Sequence, residues 1–532
     1  MKRPNEDFQD RFFWCRASGN MQQNFTSRAG HIMLYNDTAS QCIHAGRKSL
    51  WVRRVTDNRA GDGMMETIST LEAETIYPIP SGRRHGSARD LFTVWFGPNL
   101  MMLTVVTGAL ATTVFGLSLM SALIALLLGN LVGGIFMALH AAQGPRLGVP
   151  QMIQSRGQFG LFGAVPITAL IVLMYVGFAA SNLVLGAEGL QACIPGMGRF
   201  EAILVIQLLS AAPAILGYHV IHTAARLLTV MCGLAMFVCL GQVMMLHAPV
   251  PAAHAVLMTG GEWTGFLRTL SLAALWQIAY APYVSDSSRY LPAGPESEKY
   301  AFLACFSGSV SASMLAMSVG AVVGLLATGQ HVVQALTTLL GGAAVPVILV
   351  LSLGIAVANS MNVYCGALSS LTVAQTFTPD RHYGRSARLF ITLVLLLLAF
   401  GMATLMADRF MAIYSEFLEL LMSIMIPWTA INLTDYYILH HGEYDVASFF
   451  KQDGGLYGYY NIPALICYFL GIVVQVPFLS TALYTGSVAR ALGGVDLSWV
   501  VSLILVPPIY IAMERYFHAR VLPKGNDHEI SL

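Results

Sequence analysis

Nine residues in four apolar stretches of the chain could do chemistry. They are Gly97 and Asn99, Phe178 and Asn182, Trp276 with Gln277 and Tyr280, and Asn359 and Asn362. Aromatic faces stack on flat rings, and a carboxamide presents a donor beside an acceptor to a ring's edge. Positions three and four apart share one face of a helix. Tyr175, Phe178 and Asn182 therefore form one stripe, Trp276 and Tyr280 a second, and Asn359 and Asn362 a third. The register of the second leaves open whether Trp276 or Tyr280 points inward. Packing against a helix or lipid is the ordinary explanation of any one aromatic. Asparagine inside a span is costlier to place, although interhelical hydrogen bonding accounts for many.

Gly97 and Asn99 enter through the backbone. They belong to Trp95-Phe96-Gly97-Pro98-Asn99, which interrupts the first long apolar stretch, 91–113. Proline lacks an N–H and glycine tolerates non-helical dihedrals, so a helix breaks there. Lipid offers no hydrogen bonds, and irregular backbone at membrane depth survives only where protein or a cavity covers it. In transporters such breaks present helix ends and carbonyls to a substrate or ion. A second interrupted stretch, 269–284, has Pro282 among Trp276, Gln277, Tyr280 and Tyr283.

The elements that must hold these residues are membrane spans. Of 532 residues, 56% are hydrophobic and 11% charged, where soluble domains carry about 25% charged residues. That is the composition of a polytopic, all-α membrane protein. A formal net charge of +1 argues against nucleic acid as a partner. Eight scattered cysteines show no metal spacing and read as free. Residues 1–63 are polar, without amphipathic period or signal-peptide core, and read as a disordered or untranslated N-terminal extension. Residues 64–90 read as a basic cytoplasmic lead-in and 517–532 as a cytoplasmic tail. Between them, runs long enough to cross a bilayer fall near 91–113, 115–139, 163–187, 200–218, 225–247, 268–284, 299–328, 343–363, 387–406, 411–440, 461–481 and 496–516. Beyond residue 82, only Arg199, Arg268, Arg409 and Arg490 fall in loops opposite the termini, against fifteen Lys and Arg on the termini's side. The positive-inside rule then makes both termini cytoplasmic. The broken spans are the first and sixth. An offset of five inverts topology, so two five-helix halves would cross in opposite senses. The connecting stretches 147–160 and 331–340 read as short interfacial helices in corresponding places.

GPRLGVPQMIQSRGQFG (144–160), VSDSSRYLP (284–292), IPWTAINLTDYYILHHGEYD (426–445) and WFGPNL in the first span resemble the purine–cytosine permeases of the nucleobase–cation symporter family. The resemblance runs over about residues 64–516. It implies a leucine-transporter-type fold of five plus five inverted helices with two more, twelve in all. It also implies import of a neutral nucleobase or related heterocycle with a cation, H+ or Na+, through the cell (inner or plasma) membrane. Three stripes on the spans where that family binds substrate point to a site. Family members often have Gly-Trp-x-x-x-Asn in the third span; Gly177-Phe178-x-x-x-Asn182 keeps the spacing with Phe. Sodium-coupled relatives use hydroxyl ligands in the eighth span. Ala356 and Val357 stand there and offer no side-chain oxygen, which favours protons.

Charge within the spans is sparse. Glu416, Glu419 and Asp435 lie near the ends of the tenth, and Asp286 and Arg289 follow the sixth as an ion pair or intracellular gate. No HExxH, GxSxG or DxxD stands at membrane depth, so no residue reads as catalytic or metal-ligating and no cofactor is implied beyond the coupling cation. An amine or amino-acid symporter on the same fold is the alternative. The particular heterocycle and the oligomeric state stay unassigned.

Overall fold

The computed structural model describes residues 75–245, 262–326, 331–407, 410–481 and 484–521, with five strand segments between Phe12 and Arg53. Two units divide the chain, Met1–Thr70 and Leu71–Leu532. In the first, β1 (Phe12–Ala17) pairs antiparallel with β2 (Asn20–Phe25). β3 (His31–Asn36) lies between antiparallel β4 (Ala39–Ile43) and parallel β5 (Ser49–Arg53). The disordered or untranslated extension expected over 1–63 is described only in these strands, which the all-α reading did not include. Its other residues lie outside the described ones.

The second unit is helical. Its first predicted span is two helices, α1 (Ala88–Phe96), continued by a single tighter turn over Gly97–Asn99, and α2 (Met102–Thr113), bent by 59° between Asn99 and Met102. There follow α3 (Leu119–Leu147), the short α4 (Gln151–Phe159), α5 (Ala164–Cys193), α6 (Arg199–Leu216) and α7 (Tyr218–Met245). The sixth span is α8 (Trp263–Ile278) and α9 (Ala281–Ser288). Beyond it run α10 (Pro295–Leu326), the short α11 (Val332–Leu340) and α12 (Ala344–Phe377). Last come α13 (Arg385–Met406), α14 (Phe410–Thr434), α15 (Ile462–Val473), α16 (Ser487–Ala491) and α17 (Ser498–Val521). Every predicted span overlays a helix or a broken pair. By length and apolarity alone, eight helices among the described residues could cross a membrane, and a ninth if the bent pair is one span.

The two breaks differ in depth. At the first, Leu100 leaves helical dihedrals at φ −86°, ψ 52°. At the second, Ala279 and Tyr280 stay near the helical region and the ladder only tightens, Tyr280 N donating to Gln277 O at 3.1 Å. Pro282 then opens α9 within its first two positions, where its missing N–H costs least.

The short helix α4 stands where the sequence placed it, and every residue from Gln151 to Phe159 is buried within the protein. Arg156 explains the burial. Its guanidinium donates to Gln375 Oε1 (2.6 Å), Phe449 O (2.7 Å), Thr372 O (2.7 Å) and Thr376 Oγ1 (2.9 Å). These bonds tie α4 to α12 and to the loop after α14.

Backbones come very close along two pairs of spans. A methyl added at Gly108 of α2 would lie 2.1 Å from Met317 O of α10, and one at Gly320 of α10 would lie 1.9 Å from Val105 O. At Gly133 of α3 it would lie 2.1 Å from Ala274 O of α8. Small residues permit this approach between helices in lipid. On the outside, α7 exposes Leu227, Val230, Leu234 and Phe237, and α13 exposes Phe390, Leu397 and Leu405. These are lipid-facing surfaces.

The part of the lead-in described, from residue 75, is a packed strap. Ile76 and Ile79 are fully buried. Thr75 Oγ1 donates to Tyr383 O (3.0 Å), Ile79 N to Gly148 O (3.1 Å) and Gly86 N to Tyr290 O (2.9 Å). Arg289 Nη1 donates to Thr75 O (2.7 Å), and Tyr77 stacks on His382 at 4.2 Å. The strap thus joins the ends of α3 and α9 to the loop after α12. Arg84 reaches Pro145 O at 2.6 Å; burial, then the charge of Arg289, push its pKa below the ordinary value.

Candidate binding site between the broken spans

The two breaks face each other across a cavity of about 30 Å³. Trp95, Pro98, Asn99 and Met101 come from the first break, and Trp276, Ala279, Tyr280 and Tyr283 from the second. Phe178 and Asn182 of α5 and Ala358, Met361 and Asn362 of α12 complete the wall. None of these lining residues is an acid, lysine, arginine or histidine.

Five of the thirteen lining residues are aromatic, and their rings are braced edge-on. Tyr280 stands edge-on to Trp95 (5.4 Å, 68°), Trp276 (5.9 Å, 88°) and Tyr283 (5.8 Å, 70°). Phe178 stands edge-on to Phe417 at 5.5 Å. Edge-to-face contacts are the favoured geometry of such pairs. They fix the ring planes around the small cavity.

The amides fall into two kinds. Asn99 is fully engaged: Nδ2 donates to Trp95 O (2.7 Å) and Ser309 Oγ (3.2 Å), while Oδ1 accepts from Trp276 Nε1 (3.1 Å) and Ser313 Oγ (3.0 Å). Its side chain caps the carbonyl at the end of α1 and fixes the indole of Trp276. Asn362 Oδ1 accepts from Tyr283 Oη at 2.8 Å. Asn182 is different. It is 1% exposed, and its Oδ1 has no hydrogen-bond partner among the described residues. A buried amide oxygen left unpaired costs roughly 1–3 kcal/mol, which a ligand donor would recover.

Of the nine residues named from sequence, six line the cavity: Asn99, Phe178, Asn182, Trp276, Tyr280 and Asn362. Both Trp276 and Tyr280 do, because the tightened turn at Ala279–Tyr280 brings successive turns to one side. Three lie outside it. Gly97 packs its Cα face toward α7, where a methyl would meet Thr229 Oγ1 at 2.6 Å. Gln277 accepts from Ser309 Oγ (2.6 Å) and donates to Asn130 Oδ1 (2.7 Å), facing α10 and α3. Asn359 sits behind Asn362 with Nδ2 3.5 Å from Ser210 Oγ of α6. The other seven lining residues, Trp95, Pro98, Met101, Ala279, Tyr283, Ala358 and Met361, were not among the site residues named from sequence. Ala358, Met361 and Asn362 have the one-face spacing, and that was the available signal. Tyr175 supports the wall from behind, donating to Pro282 O at 2.9 Å.

Known proteins share this architecture. Mhp1, a nucleobase-cation-symport-1 family transporter solved closed with bromovinylhydantoin bound, superposes with a TM-score of 0.68 at 17% identity, covering 86% of this chain and 98% of Mhp1. A Na+-coupled sialic acid symporter superposes at 0.56 and 12% identity, over 82% of this chain and 91% of its own. These likenesses show the leucine-transporter-type fold. In sequence, YxlA of Bacillus subtilis (strain 168), provisionally named a purine-cytosine permease, is 34% identical over 83% of this chain and 96% of its own. The purine-cytosine permease fcyB of Emericella nidulans is 23% identical over 86% of this chain and 92% of its own. Residues 78–502 match the family described as permeases for cytosine/purines, uracil, thiamine and allantoin, and the chain belongs to that family of membrane transporters.

Proposed function

We propose that the protein imports a neutral nucleobase or related heterocycle by symport with a proton. The observation that carries this reading is the lining of the cavity: aromatic faces and carboxamides without a charged group, at the junction of two broken spans. A charge buried there unpaired would cost far more than a hydrogen bond returns, so a neutral ring fits and a zwitterion does not. Asn182 supplies the unpaired edge contact, Asn362 a second amide, and Phe178, Trp276 and Tyr280 the stacking faces. Mhp1 holds bromovinylhydantoin, a flat ring with amide edges, and the relatives' names point to the same chemical class. Ala356 and Val357 put no side-chain oxygen where a hard sodium ion would need one. It would act in the inner or plasma membrane, and the excess of Lys and Arg on one side supports cytoplasmic termini.

The test is uptake of labelled cytosine into proteoliposomes, with cytosine, purines, uracil, allantoin and amino acids as competitors. Bases should compete and amino acids should not. Replacing sodium by choline at fixed pH should leave most uptake in place. Loss of most uptake on that replacement would restore sodium as the coupling ion, and competition by amino acids alone would overturn the substrate class.

A further inference from the structure

We propose that His140 is the side chain that binds the coupling proton. The proposal rests on the proton-symport reading above, but the observations lie outside the substrate cavity. His140 belongs to α3 and is fully buried. Its Nδ1 lies 2.8 Å from Phe136 O. A carbonyl only accepts, so Nδ1 carries a hydrogen and Nε2 holds the lone pair of the neutral ring. That Nε2 has no hydrogen-bond partner among the described residues. A buried basic lone pair with no donor is the state from which a proton is taken up.

The surroundings suit the protonated ring as well. The imidazole lies nearly parallel to the indole of Trp428 on α14, centroids 5.0 Å apart and planes 23° from each other. A cation over an indole face is stabilised by the ring's quadrupole, the more so away from water. No charged side chain is hydrogen-bonded to this nitrogen among the described residues. The charged groups on neighbouring elements make contacts of their own. Asp286, after Ser285, accepts from Gln151 N through Oδ1 while its Oδ2 is buried with no hydrogen-bond partner among the described residues, which makes it the rival site to test, and Arg289 donates to Thr75 O. Asp435 accepts from Tyr510 and Tyr444, with His440 Nδ1 3.0 Å away. Arg156 on α4 has its four acceptors, and Glu298 on α10 pairs with Arg146 at 3.9 Å.

Position makes the proton count for transport. The carbonyl of His140 accepts from Ser285 Oγ of α9 at 2.9 Å. Trp428 donates Nε1 to Ser155 Oγ of α4 at 3.0 Å. The ring therefore sits where α3, α4, α9 and α14 meet, and α9 begins at the cavity wall. A charge appearing there bears on the packing of α14 against α3, and the His140 carbonyl in turn holds Ser285 of α9, the helix that carries Tyr283. The step is simple: Nε2 accepts a proton from water in one open state and returns it to water in the other. No electrons are exchanged.

The test compares wild type with His140→Gln and Asp286→Asn in proteoliposomes, using labelled cytosine. In lightly buffered medium, wild type should draw protons inward as cytosine enters. His140→Gln should lose this proton movement and concentrative uptake, while cytosine counterflow and thermal stability stay near wild type; a merely structural role would lower all of them together. An independent readout needs no substrate. An imidazolium stacked on indole quenches its fluorescence, so purified wild type should show a pH-dependent step in tryptophan emission that His140→Gln lacks. Proton movement preserved in His140→Gln, or lost only in Asp286→Asn, would overturn the proposal. Cytosine uptake by wild type without proton movement would overturn the coupling reading and His140 with it. If no base is carried, the substrate reading fails, and the fluorescence step alone still decides whether His140 takes up a proton.

Discussion

Two asparagines of the cavity should respond in opposite ways to the same change. Asn99 satisfies two acceptors and two donors, among them Trp95 O and Trp276 Nε1. Replacing it by leucine strands those buried groups, at roughly 1–3 kcal/mol for each left unpaired. Asn99→Leu should therefore lower thermal stability markedly before any effect on binding can be read. Asn182 has an unpaired Oδ1, so Asn182→Leu removes a desolvation cost. It should leave stability equal or higher while weakening base binding, by about tenfold if one hydrogen bond of ~1.4 kcal/mol is lost. Calorimetry on the same preparations separates the two. Phe178 is the stacking counterpart. Its ring faces the cavity on one side and braces Phe417 on the other. Loss of base–aromatic stacking is worth roughly 1–3 kcal/mol, so Phe178→Ala should lower affinity about five- to a hundred-fold. Phe178→Trp should retain binding. An unchanged dissociation constant for Phe178→Ala would make Phe178 a packing residue alone.

Among the elements, glycine contacts decide how closely helices approach. Gly320 of α10 and Gly108 of α2 approach facing carbonyl oxygens so closely that a methyl cannot fit. A backbone oxygen cannot rotate aside as a side chain can. Gly320→Ala should thus cost about 1–3 kcal/mol through overpacking, despite alanine's better helix propensity. Gly241→Ala on α7, with nothing near the added methyl, should be neutral or gain up to about 1 kcal/mol. Thermal unfolding of the two variants checks the contrast. The helices themselves were legible in sequence, because lipid forces long apolar runs, and both breaks were marked by proline. The short helices α4 and α11 stand where the repeat placed them. The burial of α4 was not legible: Arg156 and its polar neighbours look solvent-exposed until their acceptors on α12 are known. Gln277 shows the same limit in the site. It was named beside Trp276, but consecutive positions do not share a helix face, so Trp276 faces the cavity and Gln277 faces Asn130. Periodicity finds the face, and the packing partner decides the residue.

For the molecule as a whole, the strap from Thr75 to Gly86 separates what is dispensable from what is not. The family match begins at residue 78 and the first unit ends at Thr70. Removal of residues 1–70 should leave uptake of labelled cytosine intact. Removal through residue 86 should not, since it strips Ile76, Ile79 and the contacts to Gly148, Tyr290 and Tyr383. Equal uptake by both truncations would show the strap to be ornamental. The uncharged cavity has an electrical consequence. If wall and cargo are both neutral, all charge moved in a cycle belongs to the coupling cation, and each turnover is a small inward current. A membrane potential of about 100 mV contributes ~2.3 kcal/mol per charge, enough alone for roughly fifty-fold accumulation of the base. A potassium diffusion potential, negative inside and set with valinomycin at equal pH on both sides, should therefore drive uptake. Reversing its sign should drive the base out again, with the membrane acting as the battery.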